Sequence, residues 1–273
     1  MIKLALFGAG RIGKIHGHNV ALNPQAELVA LHDPYQVNAD HLSAALGCKQ
    51  MTPEQIFSDP SITGILVCSA TDTHADLIEQ AVLAGKHVFC EKPIDLSLAR
   101  VQQVVDKVNA SPITTMLAFN RRFDSNFALL QQRIAAGEIG DVELVSIISK
   151  DPSPPPVDYI KVSGGLFRDM TIHDFDMARF LLAEEVVQVT AQASCLVDPA
   201  IGLAGDVDTA LVTLRTASGK LGQISYSRRA RVGYVQRLAV YGSEGMLTQS
   251  LIHLLRCRRR LTSQTHTPLH PST

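Results

Sequence analysis

The sequence predicts an α/β fold: a doubly wound parallel sheet in the N-terminal part, followed by an α+β domain with a mainly antiparallel open sheet. Three observations lead to this prediction. Apolar runs of strand length alternate with helical patterns up to about residue 118, which is typical of parallel strands joined by right-handed crossovers. A glycine-rich turn follows the first apolar run. Beyond residue 118, strand-like segments separated by turn signals predominate.

The N-terminal domain, residues 1–118, is predicted to alternate strands with helices. Its clearest helix is His74–Ala84, where apolar residues recur at helical spacing and Gly85 supplies a C-terminal signal. The predicted strands are Ile2–Phe7, Glu27–His32, Gly64–Ser69, His87–Cys90 and Ile113–Leu117, and the other helices are Arg11–Leu22, Val37–Leu46 and Ser97–Asn109.

The second domain, residues 119–248, begins with a predicted helix at Arg122–Ala136 and a strand at Val142–Lys150. The proline-rich stretch Pro152–Pro156 is predicted to be a loop, because proline cannot donate to a central sheet. A helix follows at Leu166–Leu182. The remaining strands are predicted at Val186–Val197, Thr209–Thr216, Lys220–Ser227 and Gln236–Tyr241.

The last segment, residues 249–273, has a different composition from the rest of the chain. It contains no Asp or Glu, and four arginines lie between Arg256 and Arg260. A short strand or helix is predicted at Ser250–Leu255, and the remainder is expected to be a poorly ordered tail.

The composition of the 273-residue chain argues against several classes of function. A net charge of −1 gives no reason to expect binding to nucleic acid or to an acidic membrane, and no apolar run is long enough to span a bilayer. The five cysteines form no C-x-x-C pair and the ten histidines no H-E-x-x-H motif, so no metal site is expected. The chain enters a strand at its first residues, which favours a cytoplasmic location.

The turn after the first strand has the pattern G-x-G-x-x-G. Gly8 permits the tight turn, Gly10 leaves room for a pyrophosphate, and Gly13 allows the helix to pack closely on the strand. Asp33 follows the next strand, 20 residues after Gly13, where a dinucleotide fold places the carboxylate that binds the ribose. The pattern therefore predicts NAD as the cofactor in preference to NADP, whose 2′-phosphate an acidic residue repels. The alternative is a structural turn with a capping Asp.

Two further groups of residues suggest an acid–base site. Lys92, between Glu91 and Pro93, follows a strand on the ligand side of the sheet, where its ammonium group could bind a substrate oxygen. Asp169 and His173 are four residues apart and would share a helix face, so the carboxylate could orient the imidazole and raise its pKa. The alternatives are a surface lysine in a turn and an ion pair on a helix surface.

The order of these motifs resembles the Gfo/Idh/MocA oxidoreductase family. The resemblance rests on Gly8–Gly13, Thr71-Asp72-Thr73-His74, Glu91-Lys92-Pro93 and the segment Gly164–Asp174. Within the family, the chain is similar to dehydrogenases that oxidise myo-inositol, and the segments that carry this similarity are Asn120–Asp124, Tyr159–Gly165 and Gly233–Arg237. The resemblance covers residues 1 to about 247.

The resemblance implies a role for each matching residue. The residues implied at the cofactor are Gly8, Ala9, Gly10, Arg11, Ile12, Gly13, Asp33, Ser69, Thr71, His74, Glu91 and Lys92. The catalytic group would be Lys92, Asp169 and His173, and substrate contacts would come from Asn120, Tyr159, Asp169, His173 and Tyr234.

The activity implied is NAD-dependent oxidation of a secondary alcohol of a cyclic polyol, with myo-inositol giving 2-keto-myo-inositol. The alternatives are a related sugar or aldose oxidoreductase and a truncated NAD-binding protein with little catalytic activity. Relatives usually continue for several tens of residues after a segment like Tyr241–Leu247, so the second domain is expected to be shortened at its C-terminal end. The resemblance also implies homodimers or homotetramers formed through the second sheet.

Overall fold

The apolar runs of the N-terminal half form a parallel sheet of six strands. In the computed structural model of the protein, residues 1–254 are described, and the chain-order elements up to residue 118 alternate as predicted. They are β1 (Ile2–Phe7), α1 (Arg11–Ala21), β2 (Ala26–His32), α2 (Gln36–Leu46), β3 (Lys49–Gln50), α3 (Pro53–Ser58), β4 (Gly64–Val67), α4 (His74–Ala84), β5 (His87–Cys90), α5 (Leu98–Asn109) and β6 (Thr115–Leu117).

The strand order of this first sheet is β3-β2-β1-β4-β5-β6, with every pair parallel. Successive side chains of β1 point to opposite faces, as the period of a strand requires. Ala5 and Phe7 pack on the side of α3, α4 and α5, whereas Leu6 packs on the side of α1 and α2. The predicted doubly wound sheet is therefore confirmed, and the carboxyl ends of β1, β2, β4 and β5 meet at one edge.

The second half forms a mixed, mostly antiparallel sheet. Its elements are α6 (Ser125–Ala135), β7 (Val142–Lys150), α7 (Val157–Ser163), α8 (Ile172–Leu182), β8 (Val186–Ser194), α9 (Pro199–Leu203), β9 (Thr209–Thr216), β10 (Leu221–Ser227), β11 (Gly233–Gly242) and β12 (Gly245–Leu254). The order is β12-β11-β7-β10-β9-β8, and only β7 and β10 run parallel among these described strands.

One face of the second sheet is buried beneath α6 and α8. Val145, Ile147 and Val212 from the sheet pack against Phe127 of α6 and Met177 of α8. The other face has no helix over it in the described part of the chain, and several large apolar side chains on it are exposed. These include Leu211, Leu221 and Tyr241. The predicted open sheet is thus confirmed.

The predicted helix Arg122–Ala136 is wrong at its beginning. Residues Asn120–Phe123 form a 3-10 turn, and the α-helix begins at Ser125. Asp124 is the reason, because its side chain accepts hydrogen bonds from the backbone N–H groups of Asn126 (2.9 Å) and Phe127 (3.3 Å).

The predicted helix Leu166–Leu182 is not uniform either. Residues Leu166–Thr171 form a π-helical turn, and the α-helix begins at Ile172. Asp206 accepts hydrogen bonds from the backbone N–H of Leu166 at 3.1 and 3.0 Å, so a remote carboxylate caps this turn. Asp169 therefore lies in the π turn and His173 in α8, and the four-residue spacing of an α-helix does not relate them.

Short elements account for most of the other differences. The sequence interpretation did not include β3, α3, α7 or α9. The strand predicted at Gly64–Ser69 ends at Val67, and the one predicted at Val186–Val197 ends at Ser194. Residues 249–254, assigned above to the last segment, continue β12, and residues 255–273, including Arg256–Arg260, lie outside the described residues.

Candidate active site

The glycine turn has the geometry that its three glycines were predicted to permit. Gly8 has φ +94°, and a Cβ there would lie 2.5 Å from the carbonyl oxygen of Cys68. A Cβ on Gly13 would lie 1.8 Å from the carbonyl oxygen of Gly8, so α1 packs directly on the turn. At Gly10, by contrast, a Cβ would meet no atom within 4 Å. The turn is closed on the protein side and open at Gly10.

Asp33 connects the end of β2 to this turn. Its Oδ2 accepts a hydrogen bond from the backbone N–H of Ala9 at 2.6 Å, and its Oδ1 accepts one from the backbone N–H of Tyr35 at 2.8 Å. These bonds fix the carboxylate beside the glycine turn. It is therefore placed to accept hydrogen bonds from a ribose bound there.

The N-terminus of α1 suits an anionic group. Gly10 is the N-cap residue, and no side chain of the described residues caps the helix. Its first turn contains no acidic residue, and Arg11 is exposed beside it. The open space at Gly10, the uncapped N–H groups and the fixed Asp33 together fit a dinucleotide, with the pyrophosphate at the helix terminus.

The loop after β4 borders the same edge of the sheet. Ser69 and Thr73 share a hydrogen bond between their hydroxyl groups at 2.6 Å, and Thr71 begins a 3-10 turn. His74, predicted to border the cofactor, is only 2% exposed. Its Nδ1 lies 2.8 Å from the carbonyl oxygen of Pro93 and its Nε2 3.1 Å from that of Ser69. The His74 side chain therefore connects the loop after β4 to the loop after β5. Both of its ring nitrogens are engaged, so neither is available to a ligand.

Lys92 and Asp169 form an ion pair between the two domains. The Lys92 Nζ donates to Asp169 Oδ1 at 3.1 Å and to the Asp169 backbone carbonyl at 2.7 Å. The hydroxyl of Tyr159 donates to the same Oδ1 at 3.1 Å. Tyr159, expected to contact substrate, thus contacts Asp169, and burial together with this carboxylate raises the pKa of the phenol to about 12. The Lys92–Pro93 peptide bond is cis.

The environment of His173 differs from the predicted one. Asp169 makes no hydrogen bond to the imidazole in the part of the chain that the structure describes: it lies in the π turn, and its Oδ1 accepts from Lys92 and Tyr159 instead. The pKa of His173 is lowered to about 3, where an increase was expected, first by burial and then by the positive charges of Arg121 and Lys92. Its Nδ1 is buried and has no hydrogen-bond partner among the described residues. The imidazole is therefore neutral near pH 7.

A buried arginine that the sequence interpretation left without a role lies next to His173. Arg121 pairs with the fully buried Asp174, and its Nε lies 2.8 Å from the amide oxygen of Gln236 when that amide is oriented to accept. Burial opposes its charge, but Asp174 outweighs this, and the pKa of Arg121 is raised. Asp176, three residues after His173 in α8, binds Arg122 at 2.7 and 2.8 Å.

The signal for these pairs was present in the sequence. Arg121 and Arg122 are adjacent, and Asp174 and Asp176 lie in a helix with many apolar residues. Buried charges are normally paired, so two arginines and two aspartates in apolar surroundings indicate partners. Sequence alone did not say which arginine meets which aspartate.

A cavity of about 220 Å³ opens between α6, α8 and β11. Asn120, His173 and Tyr234, three of the predicted substrate contacts, line it together, with Met170, Arg121 and Gln236. The Tyr234 hydroxyl lies 3.4 Å from the Arg121 guanidinium and 2.9 Å from the Gln236 amide. The lining of the cavity is thus largely polar, and its hydrogen-bonding groups are held in position.

Comparison with known protein families shows which family the chain belongs to. Residues 2–119 match an oxidoreductase family with an NAD-binding Rossmann fold, Gfo/Idh/MocA, and residues 127–248 match the Gfo/Idh/MocA C-terminal domain. The chain belongs to this family. The match confirms the resemblance inferred from the motifs, and membership makes the protein an NAD-dependent oxidoreductase by family.

Individual relatives agree with this assignment. An inositol 2-dehydrogenase of Rhizobium meliloti is 53% identical over 244 residues, which is 89% of this chain and 74% of the relative. A myo-inositol 2-dehydrogenase of Thermotoga maritima is 46% identical over 248 residues, or 90% of this chain and 74% of the relative. The crystal structure of a myo-inositol dehydrogenase from Corynebacterium glutamicum has a TM-score of 0.90 at 44% identity and covers 98% of this chain and 80% of its own.

In the described part of the Gfo/Idh/MocA chain, two kinds of feature were not found. Residues 1–254 hold no group of three or more His, Cys, Asp or Glu side chains arranged to bind a metal ion. Over the same range, no helix combines the length and the apolar character that crossing a bilayer needs.

Proposed function

We propose that this member of the family oxidises a secondary alcohol of a cyclic polyol, converting myo-inositol to 2-keto-myo-inositol with NAD. The relatives at 53% and 46% identity carry the names of inositol dehydrogenases. The observation that carries the proposal is the Lys92–Asp169 pair close to the neutral His173, which lines a polar cavity. This set combines a cation, a proton acceptor and hydroxyl-binding groups.

NAD would be held by the glycine turn Gly8–Gly13 and by Asp33, with Ser69, Thr71 and Glu91 along its edge. When bound there, it supplies the hydride acceptor for the alcohol carbon. Apart from Lys92, the substrate-facing groups then come from the second domain. Asp33 supports NAD over NADP, because its carboxylate would repel a 2′-phosphate.

The proton of the alcohol would leave to His173. Its Nδ1 is buried, so the other ring nitrogen, Nε2, is the acceptor in the proposed step. Lys92 would donate a hydrogen bond to the same alcohol oxygen while Asp169, which itself accepts from Tyr159, holds the ammonium in place. The two groups thus stabilise the oxygen as negative charge develops on it.

The low pKa of His173 is compatible with this role. An imidazole with a pKa of about 3 is a weak base and takes a proton only from an acidified donor. The cations Lys92 and Arg121, which together with burial depress this pKa, also favour the alkoxide form of a bound alcohol. The same positive charges therefore lower the proton affinity of both the His173 imidazole and the alcohol oxygen.

The cavity supports a substrate with several hydroxyl groups. Asn120, Tyr234 and Gln236 offer donors and acceptors along its wall, and Arg121 fixes two of them. A polyol can use all of these, whereas an apolar alcohol would leave them unpaired.

Assembly and location belong to the proposal. The exposed apolar residues Leu211, Leu221 and Tyr241 support a homodimer or homotetramer formed through the open face of the second sheet. Light scattering of the purified protein tests this, and a monomer at micromolar concentration would contradict it.

We place the enzyme in the cytoplasm, which fractionation of expressing cells tests.

The activity is tested by following NADH absorbance with a panel of myo-inositol, scyllo-inositol, glucose and no substrate, each with NAD or NADP. We expect NAD reduction with myo-inositol and little with NADP. A parallel thermal shift with NAD reports cofactor binding alone. Binding without turnover on any panel member would contradict the proposed reaction and favour an NAD-binding protein without catalysis, and turnover on glucose alone would favour a sugar oxidoreductase.

A further inference from the structure

His16, on the cofactor-side helix α1, contacts two side chains at the end of β5. Its Nε2 lies 2.8 Å from Glu91 Oε1, although 75 residues separate the two in sequence. The edge of its ring meets Phe89, with ring centroids 4.8 Å apart and planes at 64°. Both side chains of this hydrogen bond are largely buried, with 22% and 19% exposed. The imidazole is therefore held by an aromatic ring and in turn holds a carboxylate.

The backbone of His16 is fixed by the packing of its helix. Gly13 lies directly on the glycine turn. A Cβ on Gly17 would lie 2.7 Å from Leu46 Cδ1, so the helix also packs closely against α2 on this side. Neither side leaves space for α1 to shift. The position of the imidazole is consequently set by the same packing that shapes the glycine turn.

Glu91 continues the geometry of β5 for one residue. Its backbone N–H donates to the carbonyl of Val67 at 2.9 Å, as a further rung of the parallel sheet. Side chains two residues apart in a strand share a face, so Phe89 and Glu91 both point to α1. Lys92, the next residue, points the other way and reaches Asp169. The direction of Glu91 is thereby linked to the direction of Lys92.

We propose that His16 is a positioning residue for the reaction: by holding Glu91 against α1, it keeps the adjacent Lys92 on Asp169. The proposal rests on the proposed function, in which Lys92 binds the reacting oxygen. His16 touches neither substrate nor reacting atoms in it, and acts only through Glu91.

The consequence of removing the imidazole follows from charge. A partly buried carboxylate without a partner costs free energy, so Glu91 would pair with a nearby cation in place of the imidazole. Lys92 is its immediate neighbour in sequence. Glu91 would then compete with Asp169 for the ammonium and draw Lys92 away from the active site.

The first experiment measures the position of Lys92 in the cofactor-free protein, without activity. The protein is treated with acetic anhydride, and mass spectrometry compares acetylation of Lys92 with that of the exposed Lys49. In the wild type Lys92 is protected, since only 15% of its side chain is exposed. We expect His16→Ala to raise the Lys92-to-Lys49 ratio several-fold, and His16→Gln, which can still donate to Glu91, to keep it near the wild-type value.

A second substitution tests whether His16 acts through Glu91. In the double variant His16→Ala/Glu91→Ala no free carboxylate remains to attract Lys92, so we expect its protection to return. His18→Ala is the matched control on the same helix, because His18 is exposed and, among the described residues, its side chain bonds to the Lys14 carbonyl alone. An unchanged ratio in His16→Ala would overturn the proposal, as would an equal rise in the double variant, which would indicate loss of packing alone.

Turnover gives an independent measure. We expect His16→Ala to lower kcat for myo-inositol by on the order of tenfold to a hundredfold, as misplacement of a reacting group by about 1 Å can do, while the KM for myo-inositol changes less. His16→Gln should recover most of kcat. Failure of the wild type to oxidise any polyol would contradict the proposed function only, because the acetylation ratios are measured without substrate or cofactor.

Discussion

The ammonium of Lys92 lies 3.1 Å from the Asp169 carboxylate, although the two residues are 77 positions apart and belong to different domains. Lys92 follows β5 of the parallel sheet, whereas Asp169 lies in the π-helical turn before α8. The pair is largely buried, with 15% and 9% of the side chains exposed. It therefore joins the ligand edge of the first sheet to the turn whose next residue, Met170, lines the cavity.

Tyr159 provides a direct test of that pair. Its hydroxyl donates to Asp169 at 3.1 Å, so Tyr159→Phe removes one hydrogen bond to the carboxylate and leaves the ring in place. We expect a stability loss of about 1.5 kcal/mol and a fall in kcat/KM on the order of tenfold, because hydrogen bonds to charged groups contribute about 1.5–3 kcal/mol and Tyr159 is half-exposed. Urea unfolding and initial rates measure the two effects. Tyr35→Phe, at an exposed position, is the control, and equal kinetics in both variants would contradict a role for the Tyr159 hydroxyl.

His173 carries the strongest kinetic prediction. His173→Asn removes the proton acceptor but keeps a polar side chain, so turnover should fall by on the order of a hundredfold to ten-thousandfold. NADH binding, measured by fluorescence titration, should stay nearly unchanged, because the imidazole lies at the substrate cavity. His18→Asn serves as the control. Retained turnover in His173→Asn would show that another group accepts the proton.

Much of the fold and half of the site follow from local sequence. Strands such as β1 are short apolar runs, and the strand period decides which of their side chains face each layer of helices. The roles of the glycine turn and of Asp33 could be predicted from the sequence, because each role depends on backbone geometry within a few residues. Lys92 and His173 could be named from their motifs.

The electrostatics of the site could not be predicted from sequence. The expectation of a raised His173 pKa assumed that Asp169 lay beside the imidazole on a regular helix. Asp169 instead lies in the π turn, and its carboxylate bonds to Lys92 and Tyr159. The positive charge near His173 comes from Arg121, which is 52 residues earlier in the sequence. Such a pKa depends on charges that only tertiary packing brings together.

The lowered pKa of His173 predicts a pH dependence of stability. The folded-state pKa is about 3 and the ordinary value is 6.5, so between these values the unfolded chain binds a proton that the folded chain does not. The contribution of this residue is therefore complete above pH 6.5 and is lost as the pH falls towards 3, with a slope of at most about 1.4 kcal/mol per pH unit. Urea unfolding of the wild type and His173→Gln at pH 7, 6 and 5 should show the free energy of unfolding of the wild type falling relative to that of the variant as the pH is lowered. A constant difference would contradict the assignment.

Asp33 predicts the choice between NAD and NADP. Asp33→Asn keeps an oxygen that can accept from Ala9 but removes the negative charge, so the turn should stay folded. We expect NADH affinity to fall by roughly tenfold, as for loss of one charge-assisted hydrogen bond, and NADPH affinity to rise. Fluorescence titration with both cofactors gives the ratio. Asp40→Asn, at an exposed position, should leave the ratio unchanged, and an unaltered ratio in Asp33→Asn would place the ribose elsewhere.

The glycines of the turn separate cofactor binding from folding. Gly10→Ala adds a methyl group to open space at an ordinary backbone conformation, with φ −71°, so the free energy of unfolding should change little. The same methyl would occupy the proposed pyrophosphate position, and a steric cost of about 1.4 kcal/mol is enough to weaken NADH binding about tenfold. Gly13→Ala should do the reverse and destabilise the fold by about 1–3 kcal/mol or more, because its Cβ would lie 1.8 Å from the Gly8 carbonyl oxygen. Urea unfolding and NADH titration of both variants test this contrast, and normal NADH affinity in Gly10→Ala would exclude the turn as the pyrophosphate site.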